Sequence, residues 1–122
     1  MRIDLNKTLT QLENNKENKV LFDSYLVTRI QELRKIPLED FSIEDLRIMI
    51  GQDCSLDILI PIAIEKLNEN ILSEGDFYAG DLLRNILLVD VDYWKKNKIF
   101  WLAIMKMYEA KKRFLIQVII MN

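Results

Sequence analysis

No histidine occurs anywhere in the chain. That removes the side chain best suited to proton transfer at neutral pH, and the commonest metal ligand. Cysteine is confined to Cys54. An internal disulfide is therefore excluded, and a thiol nucleophile has no histidine or second cysteine to activate it. Glycine is scarce, and Gly75 and Gly80 lack the loop pattern and the lysine that cradle phosphates. Asp76, Asp81, Asp90 and Asp92 do not match the spacing of a calcium loop, so neither a metal nor another cofactor is expected. Asp57, Glu65 and Lys106 interrupt every long apolar run, and none approaches the roughly 20 residues that cross a bilayer. Arg2 and Asp4 near the start are followed by no apolar run, so no secretory signal is expected. The lone thiol fits a reducing compartment, and a cytoplasmic protein is the expectation.

Apolar residues make up half of the 122-residue chain, enough for one core and one domain over residues 1–122. Helical spacing dominates. Leu5, Leu9 and Leu12 form a short stripe that Asn6 or Thr8 can cap. Phe22, Leu26, Ile30 and Leu33 mark a helix over 20–35, with Asp23 or Ser24 near its start and a stop at Pro37. Asn14 to Lys19 reads as an exposed loop. Ser42 and Asp45 have capping-box spacing, and Phe41 and Leu46 suit a hydrophobic staple. Gly51 is the natural terminator of that helix. Leu56, Leu59, Ile60, Ala63, Ile64 and Leu67 give a broad stripe, expected to be the most buried, with a bend at Pro61. Leu82 to Leu88 and Ile99 to Gln117 complete the set, with Phe114 to Met121 able to fray or extend as a short strand. A strand over Ile86 to Val91 has no partner to pair with. The fold class expected is all-α, a compact single-domain bundle of about five or six helices.

Charge is distributed unevenly. Residues 38–57 and 69–94 each carry −5, the helix between them is neutral, and residues 95–122 carry +6, within a net charge of −2. Acidic blocks sharing a face repel nucleic acid and attract a basic protein. Lys95, Lys96, Lys98 and Lys106 beside Trp94 and Trp101 are outweighed as a phosphate-backbone site, and neither nucleic acid nor membrane is an expected partner. Nothing in the pattern fixes an oligomeric state.

The run from Leu46 to Leu87 holds Gly51-Gln52, then Pro61, Ala63, Glu65 and Leu67, then Gly75-Asp76-Phe77-Tyr78 followed by Gly80-Asp81-Leu82-Leu83. On these residues, and above all on the last group, it resembles the small immunity proteins of bacterial contact-dependent growth inhibition (CDI) systems. Leu12-Glu13, Tyr25-Leu26-Val27, Leu33-Arg34-Lys35, Pro37-Leu38 and Tyr93-Trp94 extend it over roughly residues 9–94. The family often has glycine where Ser55 stands and proline where Ile71 and Ala79 stand. The resemblance implies a non-catalytic cytoplasmic helical protein. It would bind and neutralise the C-terminal toxin domain of a large adhesin delivered by neighbouring cells, covering a basic nuclease-type active site. Glu39, Asp40, Glu44, Asp53 and Asp57, or Glu74, Asp76, Asp90 and Asp92, are the candidates for the contact face. Gly51, Gln52, Pro61, Gly75, Phe77, Tyr78, Gly80, Asp81 and Trp94 are read as scaffold: the glycines permit turns, Phe77 and Tyr78 fill the core, and Asp81 caps a helix. A general adaptor or chaperone-like binder, and an enzyme working with carboxylates, are the rival classes.

Overall fold

The computed structural model describes residues 3–14 and 25–121, with side chains to residue 117. Most of the expected loop to Lys19, and the expected helix start with Phe22, Asp23 and Ser24, lie outside the described residues.

Local signals set the helix starts. Thr8 caps α1 (Leu9–Leu12) reciprocally: its hydroxyl accepts from the Gln11 amide at 3.1 Å, and the Gln11 side chain accepts from the Thr8 amide at 2.9 Å. Helix α2 (Tyr25–Leu33) turns Ile30 and Leu33 inward and stops ahead of Pro37, where a 3-10 turn (Leu38–Asp40) follows. The Ser42–Asp45 box forms as expected and opens α3 (Ile43–Gly51), with bonds of 3.1 and 2.9 Å. Helix α4 (Leu56–Glu69) carries the broad stripe, and the shorter α5 (Asp81–Leu87) and α6 (Val91–Lys96) precede the long α7 (Lys98–Met121). Among the described residues the only extended pairing is an isolated antiparallel bridge between Glu74 and Ala79.

The fold is all-α, as expected, with seven α-helices among the described residues where about five or six were expected. The additional helix is α6. The Asp90 carboxylate accepts from the Asp92 amide at 2.7 Å and starts it, and Asn97 leaves helical geometry and ends it. No strand forms over Ile86 to Val91, because Ile86 belongs to α5 and is fully buried. Helix α7 continues through the stretch expected to fray.

Helix α4 lies against α3, α5 and α7, which puts it at the centre. Leu59, Ile60 and Ala63 are fully buried there, and each of the larger two contributes about 1.5–3 kcal/mol of hydrophobic stabilisation. The helix runs unbroken through Pro61, which cannot donate to the Asp57 carbonyl. Along its other flank α3 packs on α5, and α6 rests on α7. Trp94 is buried at that junction, its ring centroid 5.2 Å from those of Tyr93 and Trp101.

Gly51 ends α3 as expected, though not through a left-handed backbone. It is the last residue of α3, and a Cβ there would sit 2.8 Å from Asn85 Nδ2 of α5. What the position needs is close approach of two helices. Positive φ falls instead on Asp53 (φ 55°) and Ser55 (φ 53°), which carry the chain from α3 into α4. Ser55 stands at the cap position, but its hydroxyl donates to Glu13 Oε1 at 2.9 Å rather than capping the helix.

Candidate functional site

The glycine–aspartate–aromatic motif forms a tight loop between α4 and α5. Ser73 anchors its start, its hydroxyl donating to the Asn70 carbonyl at 2.6 Å. The Glu74–Ala79 bridge closes it, and the Gly80 amide donates to the Leu72 carbonyl at 3.2 Å. Gly80 has φ 92°, a geometry that side-chain-bearing residues rarely adopt.

Asp81 holds the loop from inside. It is the first residue of α5, follows the cap position at Gly80, and makes no cap bond. Its buried carboxylate reaches backwards. One oxygen accepts from the Gly75 amide at 2.7 Å, and the other from the Phe77 and Tyr78 amides at 3.1 and 3.4 Å. The expected helix cap is thus a loop clasp. Three amides converging on one carboxylate fix the backbone of the tip.

Glu44 supplies the second brace, from α3. Its carboxylate accepts from the Asp76 amide at 2.9 Å and from Arg47 Nε and a terminal guanidinium nitrogen at 2.6 Å each. Arg47 Nε also lies 3.8 Å from Asp81 Oδ2, and its guanidinium sits 4.4 Å from the Phe77 ring centroid. A Cβ on Gly75 would collide with Glu44 Oε1, so any larger residue there would push the Glu44 brace aside.

Phe77 and Tyr78 consequently do not fill the core. Phe77 is 69 % exposed and Tyr78 47 % exposed. The carboxylate and guanidinium groups occupy the underside of the loop, and the rings are displayed outward. A cavity of about 390 Å³ lies between them and Arg84 and Asn85, floored by Arg47 and Asp81.

The Arg47 contact holds the Glu44 carboxyl below its ordinary value of 4.5, helped by the Asp76 amide and opposed by burial. A folded pKa below the unfolded one means that the brace is complete above pH 4.5 and is lost as pH falls through the folded value. In an acid titration followed by NMR, the Asp76 amide resonance should therefore hold steady through pH 4.5 and move only below it. A transition centred at or above 4.5 would show that Glu44 is not paired in solution.

The acidic candidates divide. Glu44 and Asp76, one from each block, meet at the loop, with Glu74 at its closing bridge. Glu44 faces inward to Arg47, whereas Glu74 and Asp76 are exposed. Asp57 is also exposed and accepts from the Tyr93 hydroxyl at 3.0 Å; burial, helped by this bond, holds the phenol pKa well above the usual tyrosine range. This second contact brings the blocks together again, near Asp90 and Asp92. Glu39 and Asp40 lie apart, at the 3-10 turn, where the Glu39 amide donates to the Leu5 carbonyl. Asp53 is exposed on the α3–α4 connection. Of the residues read as scaffold, Gln52 ends α3 and Trp94 is core. Arg47 was missed: its partners lie on three separate segments, and only its three-residue spacing from Glu44 is visible in the sequence.

Burial keeps the Cys54 thiol above its usual pKa, in its unreactive form at neutral pH. Among the described residues no group of carboxylates and thiols could hold a metal ion, and no helix is long and apolar enough to cross a membrane. A family model described as CDI immunity proteins matches residues 10–103. No curated protein and no solved structure gives a significant match.

Proposed function

The chain belongs to the CDI immunity proteins, and from that membership we propose that it neutralises its cognate toxin domain by binding it through the 74–80 loop. The observation that carries this reading is the outward display of Phe77 and Tyr78 on a backbone fixed by Asp81 and Glu44. Aromatic anchors on a preorganised loop bind with little ordering cost, which is how a few side chains come to dominate an interface. The protein acts in the cytoplasm as a binder, not an enzyme. Glu74 and Asp76 form a negative rim beside the rings and speed capture of a basic toxin face. Occlusion of a nuclease-type active site is the mechanism that fits such a rim.

The test is titration of the inactivated toxin domain into Phe77→Ala/Tyr78→Ala. Loss of the rings should weaken the complex by about 30-fold or more, as for an interface hot spot of about 2 kcal/mol. The unfolding midpoint should change much less than the affinity, because Phe77 is mostly exposed and its ring's contact with Arg47 is worth about 0.5–1 kcal/mol, while Tyr78 is about half exposed. Neutralising Glu74 and Asp76 should slow association at low salt more than it speeds dissociation. Wild-type affinity in the double aromatic variant would overturn the proposal.

A further inference from the structure

The surface between α5 and α7 is apolar and open. Leu88 is 64 % exposed, Val91 61 % and Leu102 64 %. Two cavities of about 630 and 500 Å³ lie along it. Tyr78, Leu83, Leu88 and Ile116 line the first; Val91, Trp94, Trp101 and Leu102 line the second; Leu87 lines both and makes them one groove. Either cavity alone has the volume of a small-molecule pocket, and the two side by side offer more. Cations stand at the two ends: Arg84 beside Tyr78, and Lys95 with Lys98 at the far cavity.

Three features identify the occupant. First, Tyr78 belongs both to the groove and to the loop tip, so a protein seated on the loop reaches the groove directly. Second, the cations at its ends select carboxylates. Third, one wall comes from Tyr108, Leu115 and Ile116, past the 10–103 stretch that the family shares. A wall outside the common stretch is suited to choosing one partner.

We propose that this groove receives an apolar segment of the toxin domain flanked by carboxylates, as a second contact continuous with the loop. The inference rests on the toxin-binding reading above. The chain's two tryptophans, Trp94 and Trp101, both line the groove, so fluorotryptophan labelling gives two ¹⁹F resonances that report its occupancy.

The probe is the purified inactivated toxin domain. Its binding should shift the Trp101 resonance, and Leu88→Asp or Leu102→Asp should weaken the complex at least tenfold. Both positions are exposed, and the helical circular dichroism of each variant checks that it folds. Lys95→Glu/Lys98→Glu should weaken the complex as well; tighter binding would show a cationic segment and overturn the charge assignment. If the complex forms and depends on Phe77, yet the ¹⁹F resonances and the Leu102→Asp affinity do not change, the groove inference falls and the loop reading stands. If no complex forms with the wild-type chain, both fall. Concentration-dependent ¹⁹F shifts without toxin, with dimer sedimentation, would give the groove to a second copy.

Discussion

Asp81→Ala should lower the unfolding free energy by about 2–3 kcal/mol and weaken toxin binding by tenfold or more, although Asp81 itself is too buried to touch a partner. The carboxylate is the common acceptor of three loop amides. Bonds to a charged group are each worth about 1.5–3 kcal/mol when counted singly. These three are not additive, because the loop is at the surface and water can replace part of what is lost. The remaining deficit is order. Without the clasp, Phe77 and Tyr78 must be fixed at the moment of binding, and the cost appears as affinity. Chemical denaturation read beside calorimetric titration separates the roles: Phe77→Ala should move affinity alone, and Asp81→Ala should move both. The denaturant slope should stay constant, since the core around α4 is unaltered. An unchanged unfolding midpoint for Asp81→Ala would show that the clasp does not hold in solution.

That same carboxylate shows where sequence reading succeeds and where it stops. The Ser42–Asp45 box was legible because donor and acceptor lie within one turn and the chemistry is local. The α4 stripe was legible because burial on a helix repeats with the helix period. Phe77 and Tyr78 were misplaced because apolar residues are expected inside. What turns them out is Asp81 reaching back four residues to Phe77 and six to Gly75, with Glu44 arriving from α3. The aspartate was visible, but a first-turn acidic residue reads as a cap, and nothing local tells a cap from a clasp. Gly51 was legible as the end of α3, but its crowding against Asn85, on another helix, was not. The left-handed backbone at Asp53 and Ser55 was not expected, since neither residue type requires positive φ as glycine commonly does. Pairing of the acidic blocks through Glu44 and Asp76 is likewise a fact of packing, not of spacing.

The second large effect is expected far from the loop, at Arg34. This guanidinium is only 2 % exposed and lies 2.7 Å from Glu13 Oε1 and 3.3 Å from the Ser55 hydroxyl. Ser55 in turn donates to Glu13 at 2.9 Å, and the Arg34 carbonyl accepts from the Thr10 amide and hydroxyl. The ends of α1 and α2 and the start of α4 are thereby joined at one point. Arg34→Ala should cost about 3–5 kcal/mol, the usual loss on breaking a buried ion pair, to which the vacated volume contributes. Arg34→Met combined with Glu13→Gln should recover part of it, because the methionine refills the space and no carboxylate is left without its cation. Ser55→Gly isolates the hydroxyl. Glycine relieves the left-handed backbone by about 1 kcal/mol while forfeiting a hydrogen bond of similar worth, so a near-neutral result is expected there. The denaturation midpoints of the three variants decide the matter. An Arg34→Ala protein as stable as wild type would mean that the N-terminal helices are held by apolar packing alone.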